Sequence, residues 1–242
     1  MIDTQRLIRY AAGYGVTVSP EAAEKYARYA WLLVEWNQKM NLTAITDPEG
    51  MLVKHFLDSL TAAPLLPDGP CRLIDVGTGA GFPGVPLAIL RPDIELTLLD
   101  SLQKRLTFLE TLCHELGLPV TLIHARAEEG GRQATLRERF DVATARAVAS
   151  LPVLAEYCLP FVKPGGRFIA LKGPDADKEL EAAQKAVALL GGRTHSAETV
   201  TLPNDPAFTG ERGQRRLILI DKIAPTPQKY PRPSAKIAKQ PL

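Results

Sequence analysis

The apolar positions of the chain follow two different periods, and the period changes near residue 70. Before that point apolar residues recur three and four positions apart, which is the spacing of one helix face. The residues that show this spacing most clearly are Tyr26, Ala30, Leu33 and Val34. Ser19-Pro20-Glu21 predicts a helix start, and Thr46-Asp47-Pro48-Glu49 predicts a second one with the spacing of a capping box. We expect a helical N-terminal cap over residues 1–68, with Trp31 and Trp36 in the core.

Beyond residue 70, short apolar runs alternate with segments of helical spacing. The runs with the length and composition of strands lie near 72–76, 95–100, 120–124, 141–145 and 167–172. The helical segments between and after them are predicted over 101–117, 151–162 and 177–190. Strands that alternate with helices in this way form a parallel sheet with helices on both faces.

The end of the chain departs from this alternation. Two strand-like runs, near 195–202 and 215–223, are separated by a loop without helical spacing. Strands joined without a crossover helix pair antiparallel. We therefore predict an α/β core over 69–223, with a seven-stranded, mostly parallel sheet that contains one antiparallel strand. That finish is typical of methyltransferases that use S-adenosylmethionine (SAM).

Four glycines follow the first strand, in the segment LIDVGTGAGFPG at residues 73–84. Read from Gly79 they form G-x-G-x-x-G, the dinucleotide pattern, but this register starts the turn two residues after the strand ends. Read from Gly77 they form D-x-G-x-G-x-G, which places a glycine where the turn needs its backbone freedom. The second register favours SAM. Gly77, Gly79 and Gly81 would then leave room for its methionine part, and Asp75 would hold its ammonium group.

Two further segments are placed to bind an adenosine. Asp100 ends the second strand, about 20 residues after Gly77, where nucleotide-binding sheets carry an acid for the ribose hydroxyls. The third strand leads into Ala127 and Glu128, which we expect beside the adenine ring. NAD sites carry the same ribose-binding acid, so an NAD-dependent oxidoreductase stays open as an alternative.

Composition and charge exclude several classes of protein. The chain has 242 residues, 45% of them hydrophobic and 23% charged, as expected for a globular protein whose core needs no disulfide. Cys71, Cys113 and Cys158 form no C-x-x-C pair, so no metal site is expected. No segment approaches the roughly 20 apolar residues of a membrane span, and the N-terminus lacks a signal-peptide pattern. We expect a cytoplasmic protein.

The strand ends narrow the choice of methyl acceptor. No cysteine that could attack a pyrimidine ring follows the fourth or fifth strand, and the fourth lacks the N-P-P-Y motif of amine methylation. We therefore expect a nucleophile that needs no deprotonation, and guanine N7 fits this requirement. Arg146 and Lys172 end the fourth and fifth strands. We expect both to act on the substrate, as catalytic or phosphate-binding groups.

Several motifs together make the chain resemble the bacterial RsmG family, also called GidB, of guanine-N7 methyltransferases of small-subunit rRNA. The segments that carry the resemblance are Asn37, NLT at 41–43, HFLDSL at 55–60, the loop at 73–84, LLDSLQKR at 98–105, FDVATARAVASL at 140–151, LKGP at 171–174, and TPQKYPRP with a following lysine at 226–236. The resemblance covers almost the whole chain. It implies a Rossmann-like, class I SAM-dependent methyltransferase fold with an N-terminal helical extension.

The resemblance also implies a reaction, a cofactor and a partner. The reaction is transfer of a methyl group from SAM to N7 of one guanine in the decoding region of 16S rRNA, guanosine 527. The partner is 16S rRNA or the 30S subunit. The SAM contacts that it implies are Gly77, Phe82, Ala127, Glu128 and Arg146. A non-catalytic, SAM-binding ribosome-assembly factor with the same fold stays open as a second alternative, and the net charge of +2 leads us to expect a monomer.

Basic residues are the candidates for contacts with RNA phosphates. Those that we expect are Arg146, Lys163, Lys172, Arg212, Arg215, Lys229, Arg232 and Lys236. The last three lie in a basic, proline-rich tail over 224–242 that contains no acid. His55, Asp58 and Ser59 lie too close together on one helix to form a hydrolase triad. We expect them to dock the cap on the glycine-rich loop instead.

Overall fold

The computed structural model describes residues 1–174, 176–203 and 213–242. The helices in these ranges are α1 (Thr4–Ala12), α2 (Pro20–Met40), α3 (Pro48–Gly50), α4 (Asp58–Leu60), α5 (Gly84–Leu90), α6 (Gln103–Glu115), α7 (Ala127–Gly130), α8 (Leu151–Cys158), α9 (Ala176–Leu189) and α10 (Ser234–Lys239). A π-helical stretch, Met51–Leu57, joins α3 to α4. The strands are β1 (Cys71–Val76), β2 (Ile94–Asp100), β3 (Val120–His124), β4 (Phe140–Arg146), β5 (Val162–Lys172), β6 (Gly192–Thr201) and β7 (Gln214–Lys222).

The seven strands form one sheet in the order β3-β2-β1-β4-β5-β7-β6. The first five pair in parallel, and β7 lies antiparallel to both β5 and β6. The predicted mostly parallel sheet with one antiparallel strand is therefore confirmed. Its strand order reverses between β1 and β4, and such a switch point binds ligands at the carboxyl ends of the strands.

The N-terminal helices cover one face of this sheet. Tyr26 and Tyr29 of α2 are fully buried. The Tyr26 hydroxyl donates to the carbonyl of Pro86 at 2.8 Å, and the Tyr29 hydroxyl donates to the carbonyl of Ala80. One continuous hydrophobic cluster contains residues from both sides of position 68. The helices before the sheet therefore share a core with it.

Two predicted helix boundaries differ from the structure. At the start of α3 the cap is Asp47, whose Oδ1 accepts from the Gly50 amide at 2.6 Å, and not Thr46. Helix α8 ends at Cys158 instead of continuing to 162. Pro160 has no N–H to donate one turn back, so the helix gives way to a 3-10 turn. Residues 163–166, which follow the predicted helix, consequently lie inside β5.

The segment after β7 is packed against the molecule and is not a solvated terminus. Tyr230 is 6% exposed, and Ile237 of α10 is fully buried. Tyr230 belongs to the hydrophobic cluster on the other face of the sheet, and α10 packs against α8. A basic composition therefore does not keep this segment in solvent, because its apolar residues anchor it.

The two tryptophans differ in their surroundings. Trp36 is partly buried and its ring lies 5.8 Å from that of Phe108. Trp31 is 45% exposed, so the expectation that it lies in the core is wrong. Its face is covered by the guanidinium of Arg28 at 4.3 Å. In the part of the chain that the structure describes, no helix is long and apolar enough to cross a membrane.

Candidate active site

Asp75, near the end of β1, is hydrogen-bonded to the glycine-rich turn. Its Oδ2 accepts from the Thr78 hydroxyl at 2.6 Å and from the Gly84 amide at 3.1 Å, and its Oδ1 accepts from the Thr144 hydroxyl at 2.9 Å. The residue is fully buried and is not among the residues that line the two cavities described below. The expected contact between Asp75 and an ammonium group stays a prediction. A carboxylate bonded at both oxygens braces the turn.

The glycines of the turn face in different directions. Gly77 has a φ of +70° and lines a cavity, as expected. Gly81 has a φ of +102°, and a Cβ there would lie 2.6 Å from the Tyr29 hydroxyl, so it allows close packing with the cap. The Gly79 amide donates to Asp100 at 3.0 Å. Gly79 and Gly81 are not among the residues that line the cavity, and both shape the turn.

The first cavity has a volume of about 450 Å³ and opens at the carboxyl ends of β1, β2 and β4. The residues that line it are Val76, Gly77, Leu99, Asp100, Ser101, Arg105, Ala125, Arg126, Ala127, Glu128, Ala147, Val148, Ala149 and Tyr157. It occupies the switch point of the sheet, and its volume lies in the range of small-molecule sites. Four of the expected cofactor residues, Gly77, Asp100, Ala127 and Glu128, come together here.

Asp100 ends β2 with its carboxylate already engaged. It accepts from the Gly79 amide at 3.0 Å and from the Leu102 amide at 2.9 Å. Arg105 approaches the same carboxylate at 3.2 Å on a side chain that is 35% exposed. The two amides fix the carboxylate on the turn. Because Arg105 is long and partly exposed, its bond is the one that a ligand hydroxyl can replace.

Tyr157 and Arg105 line the first cavity but were not identified from the sequence. Tyr157 belongs to α8, and burial, followed by the Glu128 carboxylate, raises the pKa of its phenol. The phenol therefore stays neutral near pH 7. An aromatic residue with a polar tip in an otherwise apolar helix was the available signal. Which way it points depends on how α8 packs, and residue spacing does not show this.

A second cavity of about 450 Å³ lies beside the first, and Ala147 lines both. The residues that line the second cavity are Ile45, Lys54, His55, Asp58, Arg146, Ala147, Leu171, Lys172, Gly173, Pro174 and Arg215. Ala147 follows β4 with a φ of +54°, a conformation that is uncommon for residues other than glycine. The chain therefore bends sharply at the boundary between the two cavities.

Asp58 joins two arginines in the wall of the second cavity. Arg146 Nη1 lies 2.8 Å from Asp58 Oδ2, and Arg215 Nε lies 3.0 Å from Asp58 Oδ1. Arg146 also donates to the carbonyl of Lys54 at 3.0 Å, and its guanidinium lies 4.9 Å from the Phe82 ring. Arg146 is not among the residues that line the first cavity, although its neighbour Ala147 is, and its contact with the cofactor stays a prediction. It stands in the second cavity with a fixed orientation.

Lys172 reaches the second cavity from the end of β5. Its Nζ donates to the carbonyl of Ala149 at 2.8 Å and pairs with Glu179 at 2.8 Å. The side chain is largely buried. The structure therefore brings the expected substrate residues Arg146, Lys172 and Arg215 together around one cavity.

Phe82 contributes to the cap interface instead of a cavity wall. Its ring stacks on Tyr29, with centroids 5.0 Å apart, and on His55, with centroids 4.5 Å apart. The Phe82 ring is therefore enclosed, and the SAM contact that the resemblance implies for this residue stays a prediction. His55 Nε2 lies 2.9 Å from the Thr43 hydroxyl. Burial, followed by the charge of Arg146, lowers the pKa of His55 to about 3, so this histidine docks the cap as a neutral ring.

Two of the expected RNA contacts are engaged elsewhere. Lys163 pairs with Asp141 at 2.6 Å at the amino end of β5, whereas both cavities lie at the carboxyl ends of the strands. Arg232 pairs with Glu156 at 2.6 Å, and that glutamate is fully buried. The Lys163 side chain is 51% exposed in its pair, whereas that of Arg232 is 12% exposed, and the contacts of both with RNA phosphate stay predictions.

The other three candidates are Arg212, Lys229 and Lys236. Lys229 and Lys236 are exposed on the C-terminal segment. Arg212 lies outside the residues that the structure describes. Within the described ranges, no group of three or more His, Cys, Asp or Glu could hold a metal ion.

The first cavity fits SAM in its chemistry. Gly77 leaves the turn bare beside the cavity, Asp100 offers a carboxylate at the ribose position, and Tyr157 offers an aromatic surface. The glycine-rich turn directly precedes α5, as in sheets that bind nucleotides.

Comparison with known proteins agrees with this geometry. The sequence profile "GidB: rRNA small subunit methyltransferase G" matches residues 22–206. A ribosomal RNA small subunit methyltransferase G from Acetivibrio thermocellus is 48% identical over 98% of this chain and 95% of its own length. A protein of the same name from Geobacillus kaustophilus is 51% identical over 94% of each chain.

Solved structures with lower identity share the fold. A methyltransferase from Pyrococcus furiosus superposes with a TM-score of 0.55 at 16% identity, covering 84% of this chain and 100% of that one. A SAM-dependent O-methyltransferase from Thermotoga maritima gives 0.52 at 19% identity, covering 81% and 72%. At this identity the likeness concerns the fold alone. The profile and the close relatives show that the chain belongs to the GidB family, the rRNA small subunit methyltransferases G.

Proposed function

We propose that this protein transfers the methyl group of SAM to N7 of a guanine in 16S rRNA, with guanosine 527 as the family's target. The observation that carries the proposal is the adjacency of two cavities of similar volume that meet at Ala147. One has the chemistry of a nucleoside site, and the other is lined by arginine and lysine. A donor and an acceptor bound in neighbouring cavities would meet at the end of β4.

The first cavity is the proposed SAM site. Asp100 would bond the ribose hydroxyls, with Arg105 giving up its place on the carboxylate. The backbone of Ala127 and Glu128 would border the adenine, and Gly77 would leave space for the methionine part. Asp75 would act indirectly, by holding the turn through Thr78 and Gly84.

The reaction requires little from the protein besides positioning. SAM supplies an electrophilic methyl group on a sulfonium centre. The lone pair of guanine N7 forms the new C–N bond, the S–C bond breaks with its electrons moving to sulfur, and no proton is transferred. Holding the two reacting atoms in line can supply most of the rate enhancement in such a step.

Arg146 and Lys172 are the proposed catalytic residues of the second cavity. Asp58 orients Arg146, and Glu179 with the Ala149 carbonyl orients Lys172. Arginine binds guanine through O6 and N7, but N7 must stay free to react, so we assign Arg146 to O6 or to a phosphate. Arg215 would supply a second guanidinium for the RNA backbone.

Several broader features belong to the same proposal. We propose a monomer that acts in the cytoplasm on 16S rRNA or the 30S subunit. Residues 1–68 would form a cap on a methyltransferase core of residues 69–223, followed by a C-terminal segment over 224–242. Light scattering of the purified protein would test the monomer.

Transfer of label from [methyl-³H]SAM tests the function. Purified protein is incubated with 30S subunits, with naked 16S rRNA and with 23S rRNA as the control substrate. We expect label in at least one small-subunit substrate and none in 23S rRNA. Absence of label from both small-subunit substrates would favour a non-catalytic assembly factor.

Thermal shift separates SAM from NADH. A ligand that binds the folded state raises the melting temperature according to its concentration relative to Kd. We expect stabilisation by SAM and none by NADH. Stabilisation by NADH alone would overturn the cofactor assignment.

A further inference from the structure

The C-terminal segment, residues 224–242, lies behind one wall of the first cavity. That wall contains Ala127 and Glu128 from α7 and Tyr157 from α8. The segment contacts both elements, because Pro231 lies against the start of the turn after α7 and α10 packs on α8. None of its residues lines the cavity itself. The segment would therefore affect a bound ligand by positioning the residues of this wall.

The strongest link is the buried pair of Arg232 and Glu156. The Arg232 amide donates to Glu156 at 2.7 Å, its Nε donates at 2.9 Å, and its Nη2 donates at 2.6 Å. Glu156 is fully buried and directly precedes Tyr157 in α8. A buried carboxylate held by three donors on one residue fixes that turn of the helix relative to the segment.

A second link involves Tyr157 directly. Ser234, at the start of α10, is close enough to the Tyr157 phenol to lower its pKa against the larger effect of burial. The phenol therefore lies beside the segment, and the same residue lines the cavity. The segment thus approaches two adjacent residues of α8, Glu156 and Tyr157.

A third link fixes the α7 side of the wall. Arg137 Nη1 donates to the carbonyls of Gly131 and Tyr230 at 3.0 and 2.9 Å, and its Nη2 donates to that of Thr226 at 2.7 Å. One guanidinium therefore ties the turn after α7 to the C-terminal segment. Both elements of the wall are held from behind by the same stretch of chain.

We propose that Tyr157 contacts the purine of SAM and that the C-terminal segment positions it, with Arg232 and Ser234 as positioning residues. This inference rests on the proposed function of the first cavity. It assigns the basic segment to the cofactor, in place of the RNA contact expected for Arg232. An aromatic ring whose polar tip lies beside the segment offers a pre-oriented face for stacking.

The test compares SAM affinity with RNA affinity in the full-length protein. SAM Kd is measured by isothermal titration calorimetry, and 16S rRNA Kd is measured by filter binding, both well below the melting temperature of each variant. Tyr157→Ala is expected to weaken SAM binding about tenfold or more, in line with the loss of one base-stacking partner. RNA Kd is expected to stay within about twofold of the original value.

Milder variants separate positioning from folding. Ser234→Ala and Tyr157→Phe are each expected to weaken SAM binding about threefold, as for loss of one polar contact, and the double variant no further. Ser234→Thr, which keeps the hydroxyl, is expected to restore affinity. Ser196→Ala on β6 is the matched control and is expected to change nothing. Arg232→Lys keeps the positive charge but loses the paired guanidinium donors that bind Glu156. It should raise KM for SAM more than it lowers kcat.

The outcomes distinguish this inference from the function on which it rests. If the original protein does not bind SAM, the proposed function fails. If it binds SAM but Tyr157→Ala and Ser234→Ala leave the SAM Kd unchanged, the inference is overturned and the function stands. If those variants weaken RNA binding and leave SAM binding intact, the segment belongs to the RNA surface and the inference is also overturned.

Discussion

The ring of His55 lies nearly parallel to the ring of Phe82, with centroids 4.5 Å apart and planes inclined by 17°. One residue belongs to the helical cap and the other to the glycine-rich turn. Phe82 has Tyr29 on its other face, so the cap encloses it from two sides. The cap therefore helps to set the shape of the turn that borders the first cavity. A change in the packing of the cap on Phe82 is expected to change the shape of the turn.

Replacing Phe82 by leucine tests this coupling. The variant loses ring contacts with Tyr29, His55 and Phe56 and part of the ring volume, and we expect a loss of about 2 kcal/mol in the free energy of unfolding. SAM affinity should fall as well, because the turn is no longer held. Phe140→Leu, a buried change in the other hydrophobic cluster, is the matched control. It should lower stability and leave SAM affinity unchanged; equal SAM affinity in both variants would refute the coupling.

Asp100→Ala is expected to weaken SAM binding. The carboxylate holds the Gly79 and Leu102 amides and stands at the ribose position, so its removal loosens the turn and deletes acceptors. A hydrogen bond to a charged group contributes about 1.5–3 kcal/mol, which corresponds to a Kd about tenfold or more higher. Calorimetry checks this, with Asp93→Ala at an exposed ion pair as the control. An unchanged Kd would remove Asp100 from the site.

Arg146→Lys is expected to lower the rate of methyl transfer about tenfold or more while leaving SAM affinity unchanged. The rate and the SAM affinity are expected to respond differently because Arg146 lines the second cavity and not the first. Lys172→Ala should act in the same direction. Single-turnover transfer and SAM titration measure the two quantities, and Arg193→Lys on the β6 edge is the control. If Arg146→Lys and Lys172→Ala both keep full turnover, the assignment of the second cavity to the substrate is contradicted.

Acid should destabilise the protein through His55. Its pKa is about 3 in the folded protein, against an ordinary value of 6.5, because burial and Arg146 oppose its charge. The unfolded chain therefore binds a proton at a pH where the folded protein does not. Stability attributable to this residue falls as the pH decreases from about 6.5 towards 3, by at most about 1.4 kcal/mol per pH unit.

Urea unfolding between pH 7 and pH 4 measures this contribution as a difference. We expect His55→Gln to show a shallower loss of stability on acidification than the original protein. Parallel pH dependences for the two proteins would show that His55 does not carry the effect.

The fold was predictable from residue spacing because the signals are local. Alternation of strands and helices, and the missing crossover before β7, identified the sheet and its antiparallel strand. The end of α8 was misjudged because apolar spacing continues through Pro160, whose missing N–H ends the regular helix. The N-cap of α3 was assigned to Thr46 instead of Asp47, because both residue types are good N-caps.

The candidate site was predictable in position and less so in detail. Gly77 and Asp100 follow strand ends, and the ends of neighbouring strands meet at a switch point whatever the packing. The directions of Asp75, Gly81 and Phe82 depend instead on how the cap packs on the turn. The pairing of Arg232 was not predictable because its buried partner, Glu156, lies 76 positions earlier in the chain.

The proposed function depends most on the two cavities holding a methyl donor and a guanine of 16S rRNA. Its most direct test is to cut labelled small-subunit RNA into fragments, separate them, digest each fragment to nucleosides and identify the methylated nucleoside by mass spectrometry. We predict 7-methylguanosine in fragments that contain guanosine 527. Label in another nucleoside, or in guanosine at a position other than N7, would contradict the account.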